Sequence, residues 1–65
     1  MKISDYTVPE LDHFRRNCNF VGMESQFFEM RARNATIEQC SEALGVSVTT
    51  ANTISRKVNS KMKRV

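Results

Sequence analysis

Leu44-Gly45-Val46-Ser47 joins two stretches whose apolar residues recur every three or four positions, and this interrupted pattern most narrows what the chain can fold into. On the amino side, Ile37, Cys40, Ser41 and Leu44 make one face of a short helix. Thr36 precedes them as an N-cap whose hydroxyl can accept from free backbone N–H groups, and Gln39 three residues on completes a capping-box pattern. Gly45 ends that helix, because a left-handed residue there costs glycine no Cβ clash. Ser47 caps the next helix, where Val48, Ala51, Ile54 (with Ser55), Val58 and Met62 continue the period. The run "VSVTT" on its own suits a strand. Alternation fails after Thr50, whereas the helical spacing holds to Met62, so the segment is read as helix.

Two more helices are expected upstream. Thr7, then Val8-Pro9-Glu10, supplies a capping hydroxyl, a first-turn proline and an early acid. Leu11, Phe14 and Cys18 then share a face, with a stop near Asn17 to Asn19. In "GMESQFFEMRARN", Phe27, Met30 and Arg31 form a stripe with Met23 behind it and Phe28 widening it. Phe20 is placed to pack back on this helix like a hydrophobic staple, and Asn34 to end it with a positive φ. The fold class predicted is all-α: one four-helix domain over residues 1–65, with 1–6 and 64–65 frayed. The core is assigned to Leu11, Phe14, Phe20, Phe27, Phe28, Leu44 and Ile54, each worth about 1.5–3 kcal/mol if fully buried.

Composition removes several function classes. At 65 residues, the chain buries only about 60% of its unfolded surface, so its stability should be marginal. It has no apolar run of the ~20 residues a bilayer span needs. Its amino end has no apolar signal core, so the expected compartment is the cytoplasm, with no membrane partner. Cys18 and Cys40 are too few for a disulfide scaffold and have no ligand partner at metal spacing; they read as reduced, buried residues rather than a redox pair. His13, the only histidine, has no Ser, Cys or acid arranged around it and reads as structural. No phosphate-cradling glycine loop is present. No catalytic residue, metal site or cofactor is expected, and the chain is not read as an enzyme.

The charge is divided along the chain. Residues 1–45 carry five cations against seven acids, a net −2; residues 46–65 carry Arg56, Lys57, Lys61, Lys63 and Arg64 and no acid. A helix with only cations either faces something negative or is a solvated face. The segment Ile37–Arg56 also meets the steric demands of a helix-turn-helix. Ser41 is small where the helices approach, Gly45 lies in the turn, Leu44, Val46 and Val48 flank it, and Ala51 and Ile54 follow inward.

"TIEQCSEALGVSVTTANTISRKV" resembles the helix-turn-helix of the sigma-factor region 4-like and LuxR-type tetrahelical families. "NFVGMESQFFEMRARNATI" is similar to their upstream helix, with Phe20, Glu24, Phe28, Met30, Arg31, Arg33, Thr36 and Ile37 at corresponding places. The likeness spans roughly residues 20–62. Cys40-Ser41 stands for a usual Ile-Ala, Ala51 for a usual Val, and Asn34-Ala35 for a glycine-led turn, changes that thin the core. Small regulators of bacterial mobile elements and phages share this layout. The resemblance implies a sequence-specific DNA-binding transcriptional regulator whose helix 48–62 lies in the major groove of double-stranded DNA.

The residues fit that implication on their own chemistry. With the apolar stripe inward, Thr49, Thr50, Asn52, Thr53 and Arg56 turn outward as base-contact candidates. Asn52 suits adenine, Arg56 guanine, and a threonine methyl thymine. Thr36, Ser47, Lys57, Lys61, Lys63 and Arg64 are the phosphate-contact candidates, positioning the protein without reading sequence. About five such contacts predict a slope of log K on log[salt] of about −4 to −5. A second reading is a protein-interaction module binding RNA polymerase or a host regulator through "FVGMESQFFEM". Val58, Met62 and Val65 have two placements open: against the first helix, or exposed as the seam of a homodimer. Arg15-Arg16, Arg31 and Arg33 read as surface or ion-paired groups, for example Arg33 with Glu29 one turn back.

Overall fold

Among the described residues, three of the four α-helices begin at a side chain that accepts from their first free N–H groups. The computed structural model describes residues 3–65; the fraying expected at 1–2 lies outside them. Helix α1 (Val8–Asn17) starts at Thr7, whose Oγ1 accepts from the Glu10 N–H at 3.4 Å while Glu10 Oε1 accepts from the Thr7 N–H at 2.8 Å. Helix α3 (Ile37–Leu44) repeats this reciprocal box between Thr36 and Gln39, at 3.1 and 2.9 Å. Helix α4 (Val48–Lys63) starts at Ser47, whose Oγ accepts from the Thr50 N–H at 3.1 Å. Helix α2 (Met23–Ala32) has Gly22 at its cap and no side-chain acceptor on its own N–H groups. The Glu24 carboxylate reaches back instead to accept from the Val21 N–H at 3.2 Å.

Among the described residues the structure is all-helical. Helix α4 packs on α2 and α3, and α3 packs on α2. Phe27, Phe28, Val58 and Cys40 are fully buried at their meeting point. Asn34 takes the positive φ expected of it, 67°, and Gly45 closes α3 in the left-handed region at φ 70°. A Cβ added at Gly45 would meet nothing within 4 Å, so a substitution there is opposed by backbone strain alone. Gly45→Ala is expected to cost about 1 kcal/mol and Gly45→Asn clearly less, since asparagine tolerates this conformation. Equal urea midpoints for the two variants would contradict that origin.

Three expectations, on α2, Val48 and Glu29, are corrected, and the chain ends, expected to fray, make contacts of their own. Ile3–Asp5 form a short 3-10 turn packed on α2, Ile3 is 6% exposed, and the Tyr6 ring meets Phe14 edge-on at 5.0 Å. At the other end Arg64 caps α4, and the Val65 N–H donates to Met62 O at 3.4 Å, so 64–65 complete a final turn.

The buried stripe of α2 keeps Phe27 and Phe28, with Met30 packed against the core, but Met23 is exposed and Glu24 is buried in its place. Phe20 does pack back on α2, stacking on Phe28 with ring centroids 4.9 Å apart. It lies two residues before the cap rather than in the staple position.

Val48 is 41% exposed although it continues the stripe of α4, because as the first helical residue it lies at the stripe's end. Finally, Glu29 pairs with Arg15 of α1 rather than with Arg33. Arg15 Nε and Nη2 donate to its two carboxylate oxygens at 2.6 and 2.8 Å, and Nη1 donates to Asp12 at 2.8 Å. The Arg33 N–H still donates to the Glu29 carbonyl at 3.3 Å, but the Glu29 carboxylate is taken by the Arg15 fork.

Candidate functional site

Helix α4 is the longest element, at 16 residues, or about 24 Å at 1.5 Å per residue. Its buried edge is Ala51, Ile54, Val58 and Met62. A period of 3.6 residues therefore turns Thr49, Thr53, Arg56 and Ser60 directly outward. Asn52 and Lys63 flank that line on one side, Lys57 and Arg64 on the other. All eight side chains, and Thr50, are exposed. Among the described residues, Arg56, Lys57, Lys63 and Arg64 have no acidic partner.

The hydroxyls differ in what they have left to offer. Ser47 Oγ donates to Thr50 Oγ1 at 3.1 Å while accepting from the Thr50 N–H, so its proton is already used. Thr50 keeps its own hydroxyl proton free. Thr53 Oγ1 donates to the Thr49 carbonyl at 3.2 Å and presents its methyl group and lone pairs. Thr36 accepts within its capping box and keeps a hydroxyl proton at the exposed start of α3.

Lys61, a phosphate-contact candidate, is held by an acid. Its ammonium donates to the Glu24 carboxylate and, at 2.6 Å, to the Asn19 carbonyl, which ties α4 to the start of α2. Arg56, Lys57, Ser60 and Arg64 rim the shallow groove in which this pair sits. Lys63 stands across the helix from Lys57, beside a second groove formed with Ile3, Tyr6 and Asn59. The cations therefore divide: three surround the Glu24–Lys61 pair and one lies on the opposite flank.

The hydrogen bond from Lys61 holds the Glu24 carboxyl below its ordinary value, against the opposing effect of burial. The Arg15 fork does the same for Glu29. Both carboxyls bind protons more readily in the unfolded chain, so their contribution to stability is complete above an ordinary carboxyl pKa of 4.5 and is lost as pH falls below it. The urea midpoint is therefore expected to fall between pH 6 and pH 3, and combining Glu24→Gln with Glu29→Gln should flatten that fall. A wild-type midpoint that is level across that range would contradict the assignment.

The remaining candidates take structural positions. Cys18 and Cys40 are buried free thiols whose pKa is pushed up by desolvation, which keeps them protonated. His13 is exposed and contacts Asn17 Nδ2 at 3.1 Å. Among the described residues no three His, Cys, Asp or Glu side chains gather as a metal would require, and no helix is long and apolar enough to cross a membrane. In "FVGMESQFFEM" the phenylalanines are drawn into the core, leaving Val21 and Met23 as its exposed apolar groups. Val58 and Met62 are also buried, and only Val65 of the suggested seam is exposed. No protein-family model matches the chain, and comparisons with curated proteins and with solved structures found no match.

Proposed function

We propose that this chain is a sequence-specific DNA-binding transcriptional regulator, with α3 and α4 as a helix-turn-helix and α4 as the helix that enters the major groove. One observation carries the reading: the face of α4 opposite its buried stripe holds short hydrogen-bonding groups and unpaired cations with no acid among them. The link between the helices favours it too. It is the three residues Gly45 to Ser47, with a left-handed glycine first and a capping serine last, within the usual length of such turns.

The amino half of α4, through Thr49, Asn52, Thr53 and Arg56, reads base edges, while Lys57 and Arg64 meet the phosphates of one strand. With Lys61 held by Glu24, Lys57, Lys63 and Arg64 remain as the phosphate cations and set a salt slope of about −2.7, shallower than five contacts would give. A protein-partner reading through α2 is less favoured, because that helix gives its aromatic residues to the core. The chain acts by binding, not catalysis.

Selection from a random duplex pool tests the proposal. One enriched motif of a few base pairs is the expected result. No enrichment, together with no duplex retained at about 50 mM salt, would end it.

A further inference from the structure

Glu24 is an acid beneath a cationic helix face, which is an unfavourable place for an acid in a protein that binds phosphate. Its side chain is only 10% exposed and that of Lys61 28% exposed, and the two are joined in the floor of the groove rimmed by Arg56, Lys57 and Arg64. Stability alone does not require this arrangement, since exchanging a buried ion pair for uncharged residues of similar size is often neutral or better. The arrangement does alter the field that a backbone phosphate meets. It removes one of the five cations of the carboxyl-terminal segment from the phosphate-facing set and brings a compensating negative charge next to the others.

We propose that Glu24 is a positioning residue that limits sequence-independent affinity: by holding and neutralising Lys61, it withholds one cation from phosphate and leaves discrimination to the amino half of α4. The proposal rests on the DNA-binding reading above. Non-specific binding grows with each cation available to phosphate, whereas base reading does not. A protein that withholds one cation weakens every complex by the same factor, so it leaves random duplex more readily while its ratio of specific to non-specific binding is unchanged. Glu24 suits the role because the same carboxylate also accepts from the Val21 N–H, which fixes it at the start of α2 independently of Lys61.

The test is the salt dependence of binding to a random duplex, measured for three proteins of confirmed helicity. Glu24→Gln keeps an acceptor for Val21 and removes the negative charge. Its slope should steepen by about 0.9. Its affinity should then drop roughly 3.5-fold further than that of the wild type over a fourfold rise in salt. In the double variant Glu24→Gln with Lys61→Gln, the charge is balanced again and the slope should return to the wild-type value. A double variant shallower by about one unit would mean that Lys61 itself meets phosphate, and an unchanged slope in Glu24→Gln would mean that the carboxylate does not govern the field; either overturns the inference. If Glu24→Gln does not fold, the double variant still decides, because it leaves no uncompensated charge. A wild type that no duplex retains would remove the DNA-binding reading as well, which separates the two failures.

Discussion

Phe28→Ala should leave most of the chain unfolded at 25 °C. Phe28 is fully buried, and its ring lies 4.9 Å from that of Phe20 and 6.4 Å from that of Phe14, measured between centroids. The Arg15 guanidinium carbon lies 5.8 Å from the ring centroid, the same arginine that forks onto Glu29. One side chain thus joins α1, α2 and the segment between them. Truncating a buried phenylalanine costs about 3–5 kcal/mol. A single core in a chain shorter than about 70 residues rarely supplies more than 3–5 kcal/mol in total. The loss is comparable to the whole stability, so helical circular dichroism should largely disappear and return only with a stabilising co-solvent. Met23→Ala is the control, an exposed residue on the same helix, expected within about 0.5 kcal/mol of wild type. Full helicity in Phe28→Ala, with a loss below about 1 kcal/mol, would contradict the central position given to this ring.

The second large effect concerns recognition. Arg56→Ala should reduce binding to the selected DNA site by about 10–100-fold, the range expected for a lost bidentate contact worth about 1–3 kcal/mol. Binding to random duplex should fall only about as far as one lost cation requires. Arg56 is exposed, outward on α4 and without an acidic partner among the described residues. Its removal should therefore leave the urea midpoint unchanged within error. Lys57→Ala is the comparison. It sits one residue further round the helix, on the groove side, and should weaken all sequences alike while flattening the salt slope by about one unit. If Arg56→Ala behaves in that same uniform way, Arg56 is a phosphate ligand, and base reading falls to Asn52 and the threonines.

The helix boundaries were legible because their determinants are local. Thr7 with Glu10, Thr36 with Gln39, Ser47 with Thr50, and the left-handed residues Asn34 and Gly45 act through bonds spanning a few residues. The outward set on α4 was legible for a related reason: once Ala51, Ile54 and Val58 are inward, the helical period fixes what faces away. Less legible were Ile3 and Tyr6, in a stretch too short for periodicity to mark. Their place depends on surfaces that α1 and α2 offer only once assembled.

Short-range hydrogen bonding and the 3.6-residue repeat made this chain helical, set where three of its four α-helices begin, and chose the polar side of α4. Tertiary structure alone decided the fate of the charges. Glu24 shares a helical face with Phe27 and Phe28, and Lys61, 37 positions later, neutralises it there; Glu29 passes over its helical neighbour for Arg15, 14 positions earlier. A charge can be buried only where an opposite charge meets it, and which one meets it is settled when the helices pack.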